Sequence, residues 1–146
     1  LVFLTDIHSL GLKNTEGLLH TTSWHWDMND ESRKFANKFF AKTKRMPTDV
    51  QAGNYSAVMT YLKAVEAVKT TNPDKVMAYL KSTPINDFYG KGVIRPDGTF
   101  AHDMYLVEAK KPSESTKPWD YLKVLNKLPA DTVWTTKAET KCALWK

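Results

Sequence analysis

Cysteine, clustered basic charge and long apolar runs are what this 146-residue sequence lacks, and each absence removes a class of protein. A single cysteine, Cys142, excludes an internal disulfide framework and a cysteine-based zinc site, and leaves only pairing with a cysteine outside the chain. Lys and Arg number 21 against 16 Asp and Glu, a net charge of +5, yet they are spread without any run of five or six. No nucleic-acid groove is indicated, and no nucleic-acid partner is expected. The apolar run at the N-terminus, Leu1 to Leu4, falls far short of the ~20 residues that span a bilayer and lacks the basic flank and cleavage site of a signal peptide. Because the sequence opens at Leu1 without a methionine, it is expected to be an excerpt or processed product of a longer polypeptide.

Catalytic signatures are also missing. There is no G-x-S-x-G elbow, no Gly-rich phosphate loop and no cysteine beside a base. The histidines His8, His20, His25 and His102 lack the i, i+4 pairing with an acidic partner that a helix-borne zinc site uses. Neither a metal nor a cofactor is expected. Asp6 and His8 could serve as an acid and a base, which is all the support a hydrolase reading finds. The length fits one domain, enough to bury about two-thirds of the unfolded surface.

What is present centres on residues 47–69, PTDVQAGNYSAVMTYLKAVEAVK. Thr48 and Gln51 form a capping box in which the hydroxyl accepts from the Gln51 N–H and the Gln51 side chain reaches back. Beyond it Tyr55, Val58, Met59, Leu62 and Val65 recur at helical spacing between thin alanines, and only Lys63, Glu66 and Lys69 clearly demand water. The pattern predicts a mostly covered helix. Its first turn sets Gln51, Gly53, Asn54 and Tyr55 where free N–H groups and the macrodipole favour an anionic group. The same residues also suit a polar helix end that simply meets solvent.

Around this helix the chain punctuates itself clearly. Leu1 to Leu4 reads as a strand with Thr5, Asp6 and His8 at its carboxyl end, where open α/β sheets bind ligands; a polar loop with Asp6 as a cap is the other reading. Gly17 to Trp24 reads as a second strand, followed by a turn and N-cap over Asp27 to Asp30 and an amphipathic helix to Lys42 carrying Phe35, Phe39 and Phe40. Asn72, Pro73 and Asp74 open a third helix to about Lys81, buried through Val76, Met77 and Leu80. Arg95-Pro96-Asp97-Gly98 marks a turn, so Val93 and Ile94 are expected to pair in a hairpin that returns through His102 to Ala109. Lys110 to Pro118 is a polar linker, and the last segment, with Trp119, Tyr121, Leu122, Leu125 and Leu128, suits helix or strand. Trp24 and Trp26 lie on one side of an extended segment, fit for ligand stacking or for ordinary packing.

The stretches GLLHTTSWHWDMNDESRKFANKF, MPTDVQAGNYSAVMTYLKAVEA and FYGKGVIRPDGTFAHDMYLVEAKKP occur in that order. Together they resemble the carboxyl-terminal part of a type I periplasmic solute-binding protein, in the branched-chain amino-acid (Leu/Ile/Val) family that serves ABC transporters. The resemblance implies an α/β chain forming part of a two-lobed fold, helix-rich with a β-hairpin, in a protein two to three times longer. On that template residues 1–24 end the second lobe and residues 25–89 supply first-lobe helices. Residues 90–109 cross back with the hairpin, and residues 110–146 form a linker and C-terminal extension. Hinges would fall near Trp24 to Asp27 and Gly90 to Asp97.

The resemblance further implies a non-enzymatic, periplasmic protein that closes on a small amino acid or a branched or aromatic carboxylate-type solute and docks on ABC permease subunits. Its absent N-terminal part would be a partner of this segment. Thr5, Asp6, His8, Trp26, Gln51, Ala52 and Tyr55 would be the ligand-binding residues, with Trp24, Trp26 and Tyr55 giving an aromatic lining. A ligand-sensing receptor domain of the same fold is the alternative.

Overall fold

Helix α1 (Leu4–Leu10) stands where a strand and its polar end were expected. The structure, a computed structural model, describes residues 2–145, so the Leu1 end of that expected strand lies outside the described residues. Residues 2–3 are extended without strand pairing, and Asp6 then closes the first helical turn by accepting the Phe3 N–H at 2.8 Å. Leu4 and Ile7, three apart, share the buried face, and Gly11 ends the helix at φ +80°, a backbone state glycine adopts without strain. A four-residue apolar run is too short to separate strand from helix, and the Leu4, Ile7 spacing with Gly11 decided for helix. A short α2 (Leu12–Thr15) leads into β1 (Leu19–Thr22).

The chain divides into two compact units, residues 1–52 with 104–128 and residues 53–103 with 129–146. In the first, β1 pairs antiparallel with β5 (Met104–Ala109), Leu19 facing Glu108 and Thr22 facing Tyr105. On its other side β5 pairs antiparallel with β6 (Leu122–Leu128), which resolves the final segment as strand. A bulge between Leu106 and Val107 interrupts that ladder. Helix α3 (Asp30–Thr43) begins as expected, with the Asn29 side chain accepting from the Ser32 N–H, and buries Ser32 and Ala36. Trp24 is held there, its indole N–H donating to Ser32 Oγ at 2.9 Å and its ring edge-on to Phe35. Ile7, Trp24, Trp26, Val107, Ala109 and Trp119 make the core of this unit. Lys110–Pro118, read as a linker, contains a 3₁₀ turn at Pro112–Glu114.

Helix α4 (Asp49–Val68) and α5 (Pro73–Ser82) form where the sequence placed them. In the second unit the body of α4 meets α5 through Ala64, Val76 and Leu80, with Val65, Val68, Tyr79 and Ile94 packed around them. A small sheet orders β2 (Ile85–Asn86), β3 (Lys91–Ile94) and β4 (Phe100–His102), all antiparallel. The turn between β3 and β4 is the expected one, with Arg95 N–H to Thr99 O at 2.9 Å and Gly98 at φ +88°. The return strand is shorter than expected. It stops at His102, and β5 belongs to the other sheet, because Asp103 intervenes: its backbone oxygen takes His102 Nδ1 and its carboxylate takes the Ala130 N–H that opens α6 (Ala130–Val133). A second correction concerns α4. Tyr55, Val58, Tyr61 and Leu62 are about half exposed, and burial falls on the small residues Ala52, Ser56 and Ala64.

Candidate functional site

The α4 N-terminus carries the capping box in altered form. Gln51 Oε1 accepts from both the Thr48 N–H and the Thr48 hydroxyl at 2.8 Å, while the hydroxyl accepts from Val50 N–H at 3.2 Å rather than from Gln51. The Gln51 reach-back was legible; the hydroxyl donates because a glutamine oxygen is the stronger acceptor within reach. Ala52 is fully buried, whereas Gln51 and Tyr55 face outward, Tyr55 with its ring edge-on to Phe88. Asp49 adds a negative charge to the first turn and accepts from Ser23 Oγ at 3.1 Å. A cavity of only about 10 Å³, room for about one water, lies beside this turn among Thr22, Trp24, His20, His25, Thr48 and Asp49.

Of the residues expected at a strand end, each has a specific place on α1. Thr5 is half-buried and its carbonyl accepts from Ser9 Oγ. Asp6 is occupied in capping, as above. His8 is exposed, its ring stacked on Trp119 at 3.9 Å between centroids and Nδ1 2.9 Å from the Tyr121 hydroxyl. Asp6 and His8 therefore make separate interactions, and an acid–base pair between them has no geometric support. Trp26 is buried, donating its indole N–H to Trp119 O at 3.0 Å with Lys117 Nζ 5.1 Å over its ring. Both indoles are held within this unit, Trp24 by Ser32 Oγ and Trp26 by Trp119 O. Trp119 itself sits at φ +68°, a left-handed conformation that a bulky residue adopts only when its surroundings enforce it. Here they are the Trp26 bond on its carbonyl and the His8 ring on its face. In the sequence Trp119 and Tyr121 are only apolar residues of the last segment; nothing local announces that they pack against His8 of α1.

Two carboxylates beside this cluster are paired with cations. Asp27 meets Lys117 at 2.8 Å and Arg33 at 3.1 Å; burial pushes its carboxyl up, and hydrogen bonds from those two cations outweigh that and hold it below the usual range. Asp120 is likewise held down against burial by Lys110 at 2.5 Å and by the Thr116 N–H. His25 is strongly perturbed: burial lowers it to about 4 despite the opposing fields of Asp27 and Asp120. Burial also lowers His20 and His102. Among the described residues no three His, Cys, Asp or Glu side chains are placed to hold a metal, and no helix is long and apolar enough to cross a membrane. The second unit has a pocket of about 200 Å³ beside Thr60, Lys63 and Tyr79, smaller than most ligand sites. Its Asp87 is occupied by Ser56 Oγ and the Tyr89 and Gly90 N–H groups.

Among the described residues this arrangement offers packing, capping and exposed aromatic and amide groups. The fold is that of type I periplasmic binding proteins, as the comparisons show. A family model described as "Periplasmic binding protein" matches residues 1–116, and the chain belongs to that family of non-enzymatic solute-binding proteins. It is similar throughout to a periplasmic binding protein from Burkholderia mallei, at 56% identity and TM-score 0.98, covering 100% of this chain and 39% of that one. A branched-chain amino acid ABC transporter periplasmic ligand-binding protein from Burkholderia xenovorans matches at 42% identity and TM-score 0.96, with the same coverage. An amino acid ABC transporter substrate-binding protein from Pseudomonas fluorescens, at 20% identity and TM-score 0.84 over 96% of this chain and 37% of that one, shares the fold. No curated protein matches. The chain thus spans about two-fifths of the length of these solved relatives.

Proposed function

We propose that the complete protein is the periplasmic solute-binding component of an ABC importer and takes a small amino acid or a branched or aromatic carboxylate-type solute. The observation that carries this reading is the end-to-end match, at 42% identity, to a protein described as a branched-chain amino acid ABC transporter ligand-binding protein. Two lobes of the complete protein close around the solute by a hinge motion, and the closed form docks on permease subunits. On this chain the outward-facing Gln51 and Tyr55 in the first turns of α4 and the exposed His8 supply direct contacts. Thr5, Asp6, Trp26 and Ala52 support them: Trp26 and Ala52 are buried, Asp6 holds the Phe3 N–H, and Thr5 is half-buried on α1.

Titration calorimetry of the intact protein against leucine, phenylalanine and their 2-keto acids tests the proposal. Saturable binding of at least one of them is expected. Tyr55→Ala should weaken it at least tenfold while leaving the circular dichroism spectrum unchanged, because Tyr55 is half exposed and its loss opens no core cavity. Unchanged affinity would remove Tyr55 from the solute contacts, and no binding to any of the four would remove the proposed solute class.

A further inference from the structure

No run of basic residues occurs in the sequence, yet between Glu31 and Asp49 there is no acidic residue and there are six basic ones, Arg33, Lys34, Lys38, Lys42, Lys44 and Arg45. Arg33 is engaged within the chain, on Asp27 and Asp30. The other five are exposed, and among the described residues none of them forms an ion pair. Lys34, Lys38 and Lys42 follow one another at i, i+4 and i+8, so they stand in one row along α3, about 12 Å from end to end. Lys44, the left-handed C-cap at φ +60°, and Arg45 continue the charge past the helix end. Ser32 and Ala36 hold the buried face, with Phe35, Phe39 and Phe40 half-buried. Like charges one turn apart repel and weaken a helix. Among the described residues no carboxylate offsets that repulsion, and a partner of opposite charge would.

We propose that the face bearing Lys34, Lys38, Lys42, Lys44 and Arg45 is a docking surface for a membrane of anionic phospholipids. Lysines dominate the face, compact charges on flexible stems, and the exposed residues between them are Asn37, Ala41 and Thr43. Specific protein interfaces are depleted in lysine and anchored by buried aromatic or arginine side chains, which makes an acidic protein surface the poorer occupant. Phosphate headgroups present a laterally mobile sheet of negative charge that needs no shaped pocket, and about four to eight Lys or Arg on one helix suffice to hold it. With no exposed aromatic in the row, the contact is electrostatic and peripheral, without insertion among the acyl chains. The inference rests on neither the proposed solute nor permease docking, and its test reads neither.

The experiment follows co-sedimentation of the intact, solute-free protein with vesicles of phosphatidylcholine alone and with vesicles holding about one-third phosphatidylglycerol. Binding is expected to the anionic vesicles only, and to disappear at about 1 M salt, where the Debye length falls to about 3 Å. Lys34→Gln, Lys38→Gln and Lys42→Gln together should weaken it by about tenfold or more. The three positions are exposed and glutamine forms helix about as well as lysine. If the helix does not tolerate the triple substitution, Lys44→Gln with Arg45→Gln, beyond its end, gives the same reading. The control, Lys63→Gln, Lys69→Gln and Lys75→Gln, removes the same charge from exposed positions in the second unit and should bind as wild type does. Equal weakening by the two triple variants would overturn the proposal, since net charge and not this face would then be responsible. Binding that ignores lipid charge or salt would overturn it too. Failure to bind anionic vesicles even at about 0.01 M salt would overturn it and return the face to an acidic protein partner.

Discussion

Lowering the pH from 7.5 to 5 should cost the fold about 2 kcal/mol through His25 alone. The side chain is 5% exposed, its ring edge-on to Trp26, and burial depresses it to about 4 from the ordinary 6.5 of a histidine. The groups facing it are Asp27 and Asp120, which favour its charge, and Lys110 and His20, which oppose it. With the folded value below the unfolded one, the unfolded chain takes up the proton first as pH falls. Stability is therefore complete above about 6.5 and lost progressively down to about 4. Across the full window the loss approaches about 3 kcal/mol, at 1.36 kcal/mol per unit. His20 and His102 are lowered in the same direction and steepen the slope. Urea unfolding followed by tryptophan fluorescence at pH 7.5, 6 and 5 would measure it, comparing slopes rather than levels, since His25→Gln also changes packing. The His25→Gln slope should be shallower by about 2 kcal/mol between pH 7.5 and 5. Identical slopes would show that His25 titrates normally and that its buried environment is wrongly described.

Two further perturbations test the packing. A Cβ on Gly92 would stand 2.0 Å from the Ala101 carbonyl oxygen across the β3–β4 pair, and the partner is backbone that cannot swing aside. Gly92→Ala should therefore destabilise the second unit by about 2 kcal/mol or more, and a thermal midpoint within a degree of wild type would contradict the register. Trp26→Phe keeps the apolar ring but removes the N–H that holds Trp119 O, leaving a carbonyl unsatisfied beside a residue at positive φ. A loss of about 1–2 kcal/mol by chemical denaturation is expected, and no loss would mean that the His8 stack alone fixes Trp119.

The three long helices were readable because each carries its own start signal: Asn29 caps α3, Thr48 and Gln51 open α4, and Asn72-Pro73 opens α5. The Pro96-Asp97-Gly98 turn was readable for the same reason. What was misread lay where the deciding interaction comes from far along the chain or where a run is short. Leu1 to Leu4 had too few residues to declare a period. The strand after His102 had no local mark of the break that Asp103 makes by bonding Ala130. Composition could not foresee that Trp26 would bond Trp119, 93 positions away, or His8 Tyr121, 113 positions away.

The sequence by itself determined the three long helices, the turn and the family, because caps, proline and glycine act within four residues and the family's three stretches keep their order. Only the tertiary structure decided which side of α4 is covered, that the last segment is a strand beside β5, and that His8, Trp26, Trp119 and Tyr121 form one cluster. Those outcomes depend on which groups meet after the chain turns back on itself. A helix apolar on two sides has no local preference for either, and a bulky residue at positive φ is tolerated only when distant partners hold it there.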